Sequence, residues 1–293
     1  MIKDVRNISD NNSITVIILT YNEELHIERA ILSALNITND IIIIDSYSND
    51  NTQAIAKKYN IKFVTRFFNA FSDKLNWCIE NLEIETKWVI RLDADEYFNN
   101  NFKRDFELFI QNNDKNLSAI YVNRELCFMC KPIKYGGYYP NFSIRIWRNR
   151  SVFCETRFLD EHLIVKQGFA KYSNLKIIDM PLYGLSQWIH KHNNYANLEA
   201  LSYLETFSNK STKNQINENL FGNTPERNKW FKNNFFYRLP IFIRCFAYFI
   251  YRYILKFGFL DGKNGFIFHV MHSFWYRFLV DSIIYEKSIN SKN

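Results

Sequence analysis

Short apolar runs alternate with amphipathic segments over the first hundred residues of the chain. Continuous apolar runs are typical of strands buried on both faces, and they cover residues 13–20, 41–45, 61–64 and 87–92. Between them, apolar residues recur at helical spacing in residues 22–35, 51–59 and 72–82, with Asn22 and Ser72 as predicted caps. This alternation predicts an α/β fold in which helices cover both faces of a mostly parallel sheet.

The pattern changes after residue 99. A helix at 102–111 precedes shorter strands at 118–128, 142–147 and 169–178, and a longer helix follows at 186–207. Residues 209–225 are polar and Asn-rich, which favours a linker. We therefore predict one large domain over residues 1–225, with halves at 13–99 and 100–208, followed by a helical tail at 226–293.

Polar side chains follow several of the predicted strands directly. Thr20 and Tyr21 follow the first strand, Asp45 ends the second, and Asp93 and Asp95 follow the fourth. Ligands of such sheets bind at the carboxyl ends of the strands. The sequence therefore places a candidate binding site at this edge of the sheet.

Asp93 and Asp95 form a D-x-D pair with Glu96 beside it. So many carboxylates at a strand end repel each other unless a positive charge lies among them. Mg²⁺ is commonly held by one or two carboxylates together with substrate phosphates. The pair therefore predicts a divalent metal site for Mn²⁺ or Mg²⁺, although a solvated turn would give the same short pattern.

The net charge of +7 is carried by the end of the chain. Residues 226–293 hold 11 Lys and Arg against 4 Asp and Glu, whereas the rest holds 26 of each. Because the larger part of the chain is neutral, the charge gives little support to nucleic-acid binding. The five cysteines show no disulfide framework and the first residues are polar, so we expect a reducing, cytoplasmic location without a signal peptide.

The basic tail also holds 20 of the 51 aromatic residues. As a helix over residues 238–257, it would place Arg238, Arg244, Arg252 and Lys256 on one face. Apolar residues, among them Ile243, Phe246 and Ile250, would lie opposite. This pattern predicts a helix in a membrane interface, paired with the aromatic stretch at 265–280. The alternative is a helical hairpin packed on the large domain or on a second copy of the chain.

Three ordered motifs carry a resemblance to glycosyltransferase family 2: ILTYNEE at 18–24, IIIIDSYSNDNT at 41–52 and WVIRLDADE at 88–96. Later stretches at 134–148, 157–163 and 188–200 are similar to a branch that builds bacterial surface polysaccharides of the lipopolysaccharide type. The resemblance implies a GT-A fold, with a nucleotide-binding half at 13–99 and an acceptor-binding half at 100–208. It also implies a hexosyltransferase that moves sugar from a nucleotide-sugar donor, with UDP-sugars favoured.

The family's roles fall on particular residues of this sequence. Thr20, Tyr21 and Glu23 correspond to the segment that holds the nucleotide, and Asp45 to the acid that binds the base. Asp93 and Asp95 correspond to the motif for the diphosphate and the metal ion. The catalytic base corresponds to Asp160 or Glu161, and we favour Glu161 although the choice stays open.

Less specific candidates complete the predicted site. His192 or His190 is expected to reach the metal or the diphosphate, and Lys74 or Arg66 the donor phosphates or sugar. Arg145 and Arg157 are expected only to line the site.

The function expected from this resemblance is inverting, metal-dependent transfer to a lipid-linked saccharide. The enzyme would be peripheral on the inner face of the cell membrane. Two alternatives remain: a nucleotide-sugar-binding protein that has lost catalysis, and a nucleotidyltransferase. The second alternative would want a glycine-rich loop after the first strand, and TYNEEL has no glycine.

Overall fold

The computed structural model describes residues 14–155, 162–207, 230, 234 and 236–290. These residues group into two compact units. The first unit runs to Pro132 and also includes residues 140–154 and 163–182. The second unit contains residues 133–139, 155–162 and the chain from Tyr183 onward.

The first unit is an α/β structure whose strands and helices alternate at the start of the chain. Its strands are β1 (Ile14–Thr20), β2 (Ile41–Asp45), β3 (Lys62–Thr65), β4 (Trp88–Asp93), β5 (Glu96–Phe98), β6 (Leu117–Phe128), β7 (Lys131–Pro132), β8 (Phe142–Arg148), β9 (Val152–Cys154), β10 (Leu163–Val165) and β11 (Phe169–Asp179). Its helices are α1 (Ile27–Leu35), α2 (Thr52–Lys58), α3 (Phe71–Asn81) and α4 (Phe102–Gln111).

Within the described residues, nine strands form one mixed sheet in the order β3-β2-β1-β4-β8-β6-β11-β5, with β7 paired to β6. β3, β2, β1 and β4 run parallel to one another. β8 lies antiparallel to β4 and β6, and β5 lies antiparallel to β11. The predicted parallel sheet is thus confirmed for its first four strands, and β9 pairs separately with β10.

The core of this unit lies on both faces of the sheet. Every residue of β1 and β2 is buried, which explains their continuous apolar sequences. Ile18 and Ile43 pack with α1 on one face, whereas Ile17 and Ile44 pack with α3 on the other. The helices packed on both faces therefore hold the carboxyl ends of β1, β2 and β4 in place at one edge of the sheet.

The second unit is helical. It contains α5 (Leu185–Phe207), α6 (Ile243–Ile250), α7 (Gly262–Phe268) and α8 (Tyr276–Asn290). π-helical segments at Tyr251–Leu255 and His269–Trp275 continue α6 and join α7 to α8. α5 and α8 pack through an apolar cluster that includes Ala196, Ala200 and Ile284.

Three predicted helix starts are wrong. α1 begins at Ile27 rather than at Asn22, because the backbone N–H groups of residues 22–24 donate to side chains that follow β2. Ser72 is not a cap, since α3 begins at Phe71. The tail helix begins at Ile243 rather than at residue 238, because Phe242 has a φ of 68° that a helix does not accommodate.

The predicted pairing of the tail helix with the second aromatic stretch is confirmed, since the rings of Phe246 and Phe274 lie 4.8 Å apart. Among the described residues, no helix combines the length and the apolar character needed to cross a membrane.

Candidate active site

The loops that follow β1 and β2 are joined by hydrogen bonds at the predicted edge of the sheet. Thr20 Oγ1 donates to Oδ1 of the buried Asp45 at 2.7 Å. The same carboxylate accepts from the backbone N–H of Ser48 at 2.8 Å and from its hydroxyl at 2.5 Å. Asp45 therefore fixes the shape of both loops.

Lys74 reaches this network from α3. Its Nζ donates to the carbonyl oxygen of Thr20 at 2.8 Å and to Ser46 Oγ at 2.9 Å. Burial lowers the pKa of Lys74 to about 8, although the carboxylate of Asp45 opposes the shift. Lys74, which was predicted to contact the donor phosphates or sugar, thus bonds to the backbone of the loop that begins at Thr20.

Glu23 is held by a histidine that the sequence analysis did not single out. The buried His26 accepts a hydrogen bond at Nε2 from the backbone N–H of Leu182, at 2.8 Å. In the neutral tautomer Nδ1 then carries the proton, and it donates to Glu23 Oε2 at 2.6 Å. Tyr21, two residues earlier, is 59% exposed and presents an aromatic ring at the same edge.

Arginines supply the positive charge among the carboxylates after β4. Arg91 donates to both oxygens of Asp93, at 3.1 and 2.9 Å. The fully buried Arg145, on β8, donates to Asp93 Oδ2 at 3.0 Å and to Glu96 Oε1 at 2.7 Å. The signal for Arg145 was a charged residue inside the apolar strand FSIRIWR.

The pKa values of the two acids in this buried network, Asp93 and Glu96, are shifted in opposite directions. Burial raises the pKa of Asp93, but the charges of Arg145 and Arg91 outweigh it and lower the pKa well below its usual range. Burial raises the pKa of Glu96 to about 8, and the nearby charge of Asp93 adds to the rise. Asp93 is therefore the ionised partner of the arginines.

Asp95 is held through its backbone. Its carbonyl oxygen accepts from Arg29 Nη2 at 2.9 Å and from the N–H of Met180 at 3.1 Å. These bonds fix the loop after β4 through the main chain. Among the described residues, no group of three His, Cys, Asp or Glu side chains is arranged to hold a metal ion.

The residues present nevertheless fit a Mg²⁺ or Mn²⁺ ion of the kind that takes most of its ligands from substrate and water. Asp93 and Asp95 are the candidate ligands, and the arginines that donate to both oxygens of Asp93 weaken that carboxylate as a direct ligand.

The sequence model of Glycosyl transferase family 2 matches residues 15–159, which contain Thr20, Asp45, Asp93 and Asp95. The matched segment belongs to glycosyl transferase family 2. The chain is 26% identical over 296 residues to an uncharacterized glycosyltransferase of Rickettsia conorii, covering 98% of this chain and 95% of that protein. It is 36% identical over 94 residues to glycosyltransferase SunS of Bacillus subtilis, covering 31% of this chain and 22% of that protein.

Solved structures give weaker similarities. S. aureus TarS 1–349 in complex with UDP-GlcNAc has a TM-score of 0.48 at 13% identity, over 96% of this chain and 92% of that one. Mannosyltransferase PcManGT from Pyrobaculum calidifontis, in complex with GDP-Man and Mn²⁺, has a TM-score of 0.48 at 11% identity, over 94% and 86% of the two chains.

The candidate bases of this glycosyltransferase, Asp160 and Glu161, lie outside the described residues, as does Arg157. The residues on either side of that segment are bonded to each other. The N–H of Glu155 donates to the carbonyl oxygen of His162 at 3.0 Å, and His162 Nδ1 lies 2.8 Å from Glu155 Oε1. Neither residue was singled out from the sequence.

His192 lies on α5 in the helical unit. Its ring stacks on Trp188 with centroids 3.5 Å apart, and Nδ1 donates to the carbonyl oxygen of Trp188 at 2.9 Å. Burial lowers the pKa of His192 to about 4, so the imidazole is neutral at physiological pH, the form that binds metals. His190, two residues earlier, is exposed.

Arg66 faces an aromatic ring in the first unit. Its guanidinium lies 4.9 Å from the ring centroid of Trp77, a geometry typical of a cation–π contact.

Proposed function

We propose that this family 2 glycosyltransferase transfers a sugar from a nucleotide-sugar donor, with UDP-sugars favoured, to a lipid-linked saccharide in bacterial surface-glycan synthesis. The observation that carries the proposal is the meeting of Asp45, Thr20 and Asp93 at the carboxyl ends of three adjacent parallel strands. Such an edge is where parallel sheets bind nucleotides.

The donor nucleotide would lie across the loops after β1 and β2. Asp45 and Lys74 hold the backbone of these loops, and Tyr21 offers an exposed ring against which a base can stack. Glu23, fixed by His26, would contact the ribose. With the base and the ribose in these positions, the diphosphate of the donor would lie near the loop that contains Asp95.

A divalent ion bound by Asp95 would neutralise the diphosphate as it leaves. Asp93 would act by holding the loop, since two arginines already engage its carboxylate. His192 remains a candidate additional ligand, because its Nδ1 donates to a carbonyl group and its Nε2 is then the acceptor nitrogen.

The transfer would invert the anomeric carbon. One carboxylate is sufficient for a single displacement, because it needs only to remove the proton from the acceptor hydroxyl. Glu161, or else Asp160, would be this base. A lipid-linked acceptor would place the enzyme on the inner face of the cell membrane as a peripheral protein.

The test is a thermal-shift series with UDP-, GDP-, dTDP- and CMP-sugars, each with and without Mn²⁺. A donor present at a hundred times its Kd stabilises the folded protein by about 2.7 kcal/mol. We expect one nucleotide class to raise the Tm, and we expect Asp95→Asn to lose the part of the shift that depends on Mn²⁺. Asp105→Asn is the matched control, because Asp105 lies in an exposed ion pair on α4.

A release assay for the nucleoside diphosphate separates the alternatives. Binding without release in the presence of acceptor extracts would indicate a binding protein that has lost catalysis, and release of inorganic diphosphate from a nucleoside triphosphate would indicate a nucleotidyltransferase. The absence of any shift with all four classes would refute the donor assignment.

A further inference from the structure

The tail helix presents apolar side chains to solvent. Four large apolar residues recur three or four positions apart along α6 and the π-helical segment after it, and a fifth follows two residues beyond that segment. They are Ile243 (61% exposed), Phe246 (54%), Ile250 (52%), Ile254 (48%) and Phe257 (57%). We name these five residues the apolar ridge.

Two arginines of the predicted basic face, one on α6 and one on the π-helical segment after it, point into the helical unit. Arg244 is 1% exposed, and its guanidinium donates to Asp281 Oδ1 through Nε at 2.7 Å and through Nη2 at 2.5 Å. Arg252 donates through Nη1 to the carbonyl oxygens of Gly136 and Gly137, at 2.7 and 2.9 Å. These acceptors hold Arg244 and Arg252 inside the unit, so these two members of the predicted basic face do not point to solvent.

The exposed apolar surface continues beyond the ridge. Leu255, Phe259, Leu260 and Phe266 are 63%, 43%, 54% and 51% exposed. Exposed apolar patches of this extent are unusual on a soluble protein, and they mark sites of interaction with another protein or a membrane.

The charges next to this surface are positive. Lys256 and Lys263 are exposed on the same stretch, and Lys134 is exposed beside it. The acid of this stretch, Asp261, is bonded to the backbone N–H groups of Lys134 and Tyr135, at 3.1 and 2.9 Å. Apolar side chains flanked by lysines match a bilayer that contains anionic lipids.

We propose that the apolar ridge inserts into the interface of an anionic lipid bilayer while Lys256 and Lys263 contact the lipid headgroups. A second copy of the chain is the less favourable occupant, because apposed ridges would bring the lysines of both copies close together. The inference deepens the proposed action on a lipid-linked acceptor and rests on it, but its test does not require turnover.

The experiment is co-sedimentation of the full chain with vesicles of phosphatidylglycerol and phosphatidylethanolamine. Ile250→Glu/Ile254→Glu should weaken binding to the vesicles about tenfold or more. Neither glutamate would transfer from water into the bilayer interface, and both negative charges would be repelled by the anionic lipids. Leu108→Glu is the control, since Leu108 is 50% exposed on α4 in the other unit. Lys256→Gln/Lys263→Gln should weaken binding to these vesicles but not to phosphatidylcholine vesicles.

Unchanged co-sedimentation of the folded Ile250→Glu/Ile254→Glu variant would overturn the proposal. The proposal would also be overturned if the wild-type chain did not bind vesicles but formed a dimer, as measured by size-exclusion chromatography with light scattering, and if this variant were a monomer. The thermal shift with nucleotide sugars reports on the donor site separately, so failure of membrane binding and failure of the proposed function are distinguishable.

Discussion

Replacing Arg145 with methionine tests whether the carboxylates after β4 depend on a buried arginine. Arg145 and Glu96 are each 1% exposed, and their 2.7 Å pair is joined by the 3.0 Å pair between Arg145 and Asp93. Removing one partner of a buried ion pair costs about 3–5 kcal/mol, because the other charge stays buried without compensation. We expect a loss near the lower limit at pH 7, since Arg91 still pairs with Asp93.

The loss should grow at alkaline pH, and the sign follows from Glu96. In the wild type its pKa is raised to about 8, so folding already becomes less favourable as pH rises from the unfolded value near 4.5 up to 8. Without Arg145 the folded-state pKa rises further, and the variant continues to lose stability above pH 8. The difference in unfolding free energy should therefore be steady below pH 8 and widen by up to about 1.4 kcal/mol per pH unit above it.

Urea denaturation followed by circular dichroism at pH 7 and pH 9 measures this difference. Arg104→Met is the matched control, because Arg104 pairs with Asp105 on the exposed surface, and such pairs contribute about 1 kcal/mol or less. A loss of stability in the Arg145→Met variant equal to that of the control, or a difference that does not widen at pH 9, would refute the reasoning.

Two further predictions concern Lys74, which bonds to the loop that begins at Thr20, and the catalytic base. Burial lowers the pKa of Lys74 to about 8 from its ordinary 10.5, so folding carries a penalty below pH 8 that disappears as pH approaches 10.5. The wild type should gain stability relative to Lys74→Met over that range in urea titrations, and parallel curves would contradict the assignment. Glu161→Gln should abolish release of nucleoside diphosphate but keep the donor-induced thermal shift, whereas Asp160→Asn should keep both; the reverse result would make Asp160 the base.

β1, β2 and most of β4 were predictable from sequence because burial on both faces leaves no room for polar residues. β1 and β2 are apolar throughout, and their observed bounds agree with the predicted runs at 13–20 and 41–45. β5 was missed because three residues carry no usable periodicity, and its pairing with β11 joins residues about eighty positions apart. The hydrophobic pattern therefore identifies the longer strands of this sheet better than the three-residue strand β5.

The start of α1 could not be predicted because the competing bonds come from a distant part of the chain. The backbone N–H groups of Asn22, Glu23 and Glu24 donate to Ser48, Thr52 and Asp50. Locally, Asn22 followed by two glutamates favours a helix start. The buried face of the tail helix could not be predicted for a similar reason. Periodicity separates the arginines from the apolar residues, but the acceptor that holds Arg244 inside the unit, Asp281, lies 37 positions further along the chain.

The pairing of Asp93 with two arginines bears on the charge of the whole site. Arg91 and Arg145 carry two positive charges, whereas only Asp93 supplies a negative charge near pH 7, because the raised pKa of Glu96 keeps its carboxyl group mostly protonated. Two positive charges against one leave these four side chains with a net charge of about +1, which is less than the two charges of a diphosphate. A nucleotide sugar with two phosphate charges would then need its neutralisation from another cation. This electrostatic requirement favours a divalent ion beside Asp95 more strongly than the D-x-D spacing does by itself.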